Sequence, residues 1–172
     1  MEISVKRMLR TRGALVAAIT ALAAGLALVA GRLLTTLIAV APLEGVWFDI
    51  LTGVLPFTVG YFLALWVVAP ITEQLGVGHV ITRSILATGI GATLWFVVLG
   101  LTGVVTAVTS TADVLGIAAS PNLVGAQLGY ALQQALTGLV VLLPLGVLGG
   151  VLQWVWRTAH PAPHHIEGLI DV

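Results

Sequence analysis

Three groups of residues in this 172-residue chain could take part in chemistry. The first is Arg32, followed by Thr35 and Thr36 and then by the acids Glu44, Asp49 and Asp113. A guanidinium pairs best with a carboxylate through a bidentate contact. This set could therefore form an anion or headgroup site, a gating ion pair, or a structural clamp tying a helix to a loop, and the clamp is the commoner use. The second group is Gln127, Tyr130, Gln133, Gln134 and Thr137. Gln127, Tyr130, Gln134 and Thr137 are spaced to share one helix face. At mid-membrane such a stripe would be a solute pathway, and at the rim a polar cap. The third group is the histidines: His79, His160, His164 and His165. His160 and His164 have the i, i+4 spacing of two imidazoles on one metal ion. Pro161 and Pro163 spoil a helix there, so the segment reads as a mobile tail and no metal is assigned.

Other chemistry finds little support. Cysteine is absent, which removes disulfides, thiolate metal sites and Cys nucleophiles together. The apolar segments hold no histidine to ligate a haem, and no Asp, Glu or His for a proton relay. Neither a nucleophile with its base nor a carboxylate pair is evident. The expectation is a non-enzyme with no cofactor and no nucleic-acid partner.

The elements that must position these residues are membrane helices. Of the residues, 59% are hydrophobic and 8% charged, with a mean hydropathy of +1.11. A soluble domain carries about 25% charged residues, so lipid must be the solvent for most of this surface. The length criterion of about 20 apolar residues gives four spans, near residues 13–40, 51–71, 85–108 and 122–156. The predicted fold is an all-α bundle of four transmembrane helices. Its first and last helices extend into the outer interface, after a basic lead over 1–12 and before a tail over 157–172. The lead and first span resemble a secretory signal ending at Ala39-Val40-Ala41, but the apolar run is longer than a signal core.

Charge fixes the expected orientation. Lys6, Arg7, Arg10, Arg12, Arg83 and Arg157 fall in one set of connections, while Glu44, Asp49 and Asp113 fall in the other. By the positive-inside rule both termini are cytoplasmic in a cell membrane. Trp154, Trp156 and Arg157 anchor the last span, and counting back about 20 residues puts Gln134 at the outer boundary.

Small residues give the packing. Ala17, Ala21 and Gly25 recur every four residues, and Gly100 and Gly103 smooth the third span, so that another helix can approach closely. Pro56, Pro144 and the Gly149-Gly150 pair are expected bends. An echo at an offset of 71, Thr11-Arg12-Leu15-Ile19-Ala21 against Thr82-Arg83-Leu86-Ile90-Ala92, would make the two hairpins a parallel repeat. Two functions are compatible with these features. One is an accessory, assembly or scaffold subunit that meets a protein partner or a second copy through small-residue faces. The other is a small oligomeric transporter or channel.

Overall fold

The computed structural model describes residues 12–40, 42–115 and 121–160. These form four long helices, each long and apolar enough to cross a membrane, and no strand is present among the described residues. Helix α1 is Arg12–Ile38. Helix α2 runs without a break through Glu44–Asp49, a π segment Ile50–Val54, Leu55–Leu63 and a second π segment Ala64–Val68. Helices α3 (Val77–Leu115) and α4 (Pro121–Ala159) have 39 residues each.

The boundaries differ from the sequence expectation in three places. The connection after α1 is short, because the chain is helical again from Glu44 rather than Leu51. Helix α3 begins at Val77, so His79 and Arg83 stand on its first turns rather than in a loop. It also continues to Leu115, giving the third helix the same length as the fourth. Pro121 opens α4 as expected. The basic lead before Arg12, Ser120, and the tail with His164 and His165 lie outside the described residues.

In hydrocarbon every backbone polar group must be satisfied within the protein, which helices accomplish. Side-chain hydroxyls follow the same rule. Thr20, Thr58, Ser84, Thr88, Thr93 and Thr106 each donate to the carbonyl one turn earlier, at 2.7–2.9 Å. The first π segment answers the proline inside α2, beginning six residues before it, Ile50 before Pro56. The second, Ala64–Val68, ends α2 just ahead of Pro70. The wider i→i−5 turn makes room for a ring that would clash with an ordinary i−4 carbonyl. Pro56 is thus accommodated by a register change. Helix α4 passes through Pro144 and the Gly149-Gly150 pair as one continuous helix.

Large side chains face out and small ones face in. On α1, Leu15, Ile19, Leu22 and Leu26 are exposed, whereas Ala17, Ala21 and Ala24 are buried. This is the arrangement of a helix whose outer solvent is lipid. A Cβ on Gly25 would meet Thr58 of α2, and Cβ atoms on Gly100 and Gly103 would meet Leu128 and Gln127 of α4. These small-residue faces are therefore occupied within the chain.

Helices α3 and α4 pair antiparallel along their length, with Ser84 against Gly150, Thr88 against Gly146 and Trp95 against Gly138. The start of α1 meets the end of α4, since a Cβ on Gly13 would lie 2.8 Å from the Arg157 guanidinium. That end is tied by two arginines. Arg83 donates to the Pro70 carbonyl and Arg157 to the Ile71 carbonyl at 2.6 Å, both just past the end of α2. Cations placed there also complement the negative end of the helix dipole.

Candidate functional site

Toward the opposite end the four helices separate around a cavity of about 480 Å³. Arg32 and Thr35 of α1, Asp49 of α2, Trp95 of α3, and Gln134 and Thr137 of α4 line its polar part. Phe57, Leu142 and Leu145 close its deeper, apolar part. Two groups of sequence candidates that lie far apart in the chain thus meet in one space. A polar mouth over an apolar floor suits an amphiphile or a partner side chain.

The pair at the mouth is loose. Arg32 Nη1 and Asp49 Oδ2 are 3.9 Å apart, with the side chains 43% and 50% exposed. Thr35 and Thr36 do not serve the guanidinium. Their hydroxyls donate to the Arg32 carbonyl at 2.9 and 2.8 Å, which satisfies the last turns of α1. The side chains of Glu44 and Asp113 lie outside the described residues.

The polar stripe divides. Gln134 and Thr137 face the cavity, Gln127 packs against Gly103, and Tyr130 and Gln133 are exposed. One helix face cannot stay in one environment when the neighbouring helices diverge along it. Of the two proline-bearing helices, α2 contributes Gly53 and Val54, beside the π segment that absorbs Pro56.

Trp95 is a site residue that sequence reasoning missed. Its indole is slotted between Gly53 of α2 and Gly138 of α4, and a Cβ on Gly53 would lie 2.8 Å from the ring nitrogen. A Cβ on Gly138 would overlap the ring outright. The available signal was a tryptophan in mid-span, away from the interfaces where membrane tryptophans gather. Tyr61 was missed too. It is fully buried and donates to the Gly146 carbonyl at 2.6 Å, joining α2 to α4 below the cavity.

Among the described residues no group of three or more His, Asp or Glu side chains is placed to hold a metal ion. His160 stacks on Trp156 with ring centroids 5.0 Å apart. No family model, no curated protein and no solved structure matches this chain.

Proposed function

We propose that the protein is a non-catalytic integral membrane component, an accessory, assembly or scaffold subunit that works with a second chain or a second copy of itself. The observation that carries this reading is the cavity at the Arg32 end. It offers a guanidinium, a carboxylate, a carboxamide and a hydroxyl around an apolar floor, a set suited to recognition. The intrachain use of Ala17, Ala21, Gly25, Gly100 and Gly103 moves the expected contact from those faces to this socket. The basic end, with Arg83 and Arg157, faces the cytoplasm in this reading, so both termini are cytoplasmic and the cavity opens toward the outer leaflet.

Purification in mild detergent with mass measurement tests it. The expected result is a larger membrane protein at fixed stoichiometry, or a discrete homo-oligomer. Filling the socket with Gly31→Trp should weaken that association. A monomer that carries solute flux in liposomes would sink this reading. A second reading, a small oligomeric transporter or channel, is favoured by the depth of the cavity. The space reaches Leu142 and Leu145, which flank Pro144 at the middle of α4.

A further inference from the structure

Two polar side chains on the wall of the Arg32-end cavity differ from most of the bundle. Gln134 and Thr137 make no hydrogen bond to any described residue. Thr137 is exposed, and the carboxamide of part-buried Gln134 is accessible rather than sealed in protein. Helical threonines such as Thr20, Thr58, Thr88 and Thr106 instead donate to a carbonyl of their own helix. Arg32 and Asp49 are the charged residues of the same lining, 3.9 Å apart with side chains 43% and 50% exposed. Their charges cancel, so this mouth is neutral but strongly dipolar. Its level is that of a lipid headgroup. Thr137 stands about 30 Å from Arg157 along α4, and Arg32 about as far from Gly13 along α1, the thickness of a hydrocarbon core. The cavity also opens sideways. Helices α1 and α4 touch where Gly149 meets Thr20, but nearer the mouth Ala27, Gly31, Thr137 and Val141 line the space and are all exposed.

We propose that this cavity binds a zwitterionic phospholipid with a primary ammonium headgroup, the chemistry of phosphatidylethanolamine. This rests on the reading of the cavity as a recognition socket, and the lipid is then part of the surface that a second chain meets. The phosphate accepts from the Arg32 guanidinium and the ammonium donates to the Asp49 carboxylate, replacing one long ion pair with two short ones. Gln134 adds a carboxamide oxygen for the ammonium. Thr137, nearly one turn deeper on α4, donates to a glycerol ester. One acyl chain lies over Phe57, Leu142 and Leu145, and the other leaves through the gap beside Val141. Other amphiphiles fit less well. An anionic headgroup satisfies Arg32 but meets a like charge at Asp49. A choline headgroup has no N–H to donate and is held best by open aromatic faces. Of the aromatic rings in the lining, Trp95 is wedged between Gly53 and Gly138, and Phe57 stacks on Tyr61. A small soluble zwitterion would leave the apolar floor uncovered.

The test uses the full chain in phosphatidylcholine nanodiscs with a small fraction of phosphatidylethanolamine bearing a photoreactive diazirine on one acyl chain. Crosslinks should map to the peptides around Phe57 and Leu142. A phosphatidylcholine probe with the same diazirine should label them at least about tenfold less, the change expected for one hydrogen bond to a charged group. Unlabelled phosphatidylethanolamine should compete at a mole fraction at least about tenfold lower than phosphatidylglycerol requires. Glycerophosphoethanolamine, the same headgroup without acyl chains, should not compete. Asp49→Asn should remove these preferences while keeping the wild-type elution volume. Gly31→Trp, which fills the gap, should reduce crosslinking at least about tenfold and serves if Asp49→Asn fails to fold. Equal labelling by the two probes, equal competition by phosphatidylglycerol, competition by the free headgroup, or wild-type behaviour of both variants would overturn the inference. The subunit reading is judged apart from it. Preferential crosslinking on a chain that stays monomeric in mild detergent would keep the lipid site and remove that reading. A complex of fixed stoichiometry with no lipid preference would do the reverse.

Discussion

The two halves of this bundle are built from the same four helices and the same few residue types, yet one packs α2, α3 and α4 tightly together and the other holds a cavity among all four helices. In the Arg157 half, Gly146 and Gly150 receive Thr88 and Ser84 so closely that no Cβ could fit. Tyr61 donates across to α4, and two arginines tie α2 to its neighbours. In the Arg32 half, Gly31 has nothing within 4 Å of its Cβ position, and about 480 Å³ is left between the helices. Hydrophobicity cannot cause this difference, because lipid is as apolar as the helix surfaces it would replace. The placement of small residues and hydrogen bonds causes it.

The widest separation between the halves should appear on adding bulk to a glycine. Gly150→Val pushes into Ser84 and Ile71. Overpacking of this kind costs about 1–3 kcal/mol and sometimes more, so the variant should lose a large part of its thermal stability in detergent. Gly31→Val should be neutral within about 0.5 kcal/mol, as for a surface change. Equal tolerance at both positions would erase the comparison.

Access gives the next contrast. The chain has no native cysteine, so single cysteines can be introduced without background. Thr137→Cys, on the cavity wall, should react with a membrane-impermeant maleimide at least about tenfold faster than Ser84→Cys, which replaces a buried side chain. Comparable rates would mean that the Arg32 half is not open to water.

The sequence carried the open half less well than the helices. Four spans were legible because apolar length is a one-dimensional signal. The ends of α2 and α3 were not, since Glu44, His79 and Arg83 are polar residues that nonetheless continue a helix past the hydrocarbon. The grouping of Arg32 and Asp49 with Gln134 and Thr137 depends on how four helices splay, which no periodicity within one helix encodes. Small-residue spacing at Ala17, Ala21 and Gly25 announced close packing, but not whether the partner was inside or outside the chain. The Gly149-Gly150 pair likewise did not announce its partners: Gly150 is filled from α3 by Ser84, and Gly149 lies against Tyr61 and Thr20.

Tyr61→Phe should sharpen the comparison by a smaller amount. It removes the 2.6 Å bond to Gly146 without changing the packing of the ring on Phe57, whose centroid is 5.7 Å away. Hydrogen bonds between membrane helices are worth about 0.6 kcal/mol on average and at most about 1.7. The expected loss in a denaturation measurement is therefore about 1 kcal/mol. A much larger loss would mean that the hydroxyl organises the tight half rather than only joining α2 to α4.

The smallest stability effect is expected at the mouth of the open half, and it bears on a choice left open by sequence alone: clamp or binding site. A clamp between α1 and α2 would need a short, well-shielded pair. Arg32 and Asp49 instead stand 3.9 Å apart and are about half exposed, and the nearby threonine hydroxyls serve the backbone. Such pairs contribute about 0–1 kcal/mol. Asp49→Asn keeps the shape and removes the charge, so its denaturation midpoint should stay close to that of the wild type. The same variant should weaken whatever association is found in mild detergent, because it alters the charge that a ligand or partner meets on entering the socket. A loss of about 3 kcal/mol or more, typical of breaking a buried pair, would establish the clamp. The two halves would then differ in how tightly their helices are held, but not in what they are for.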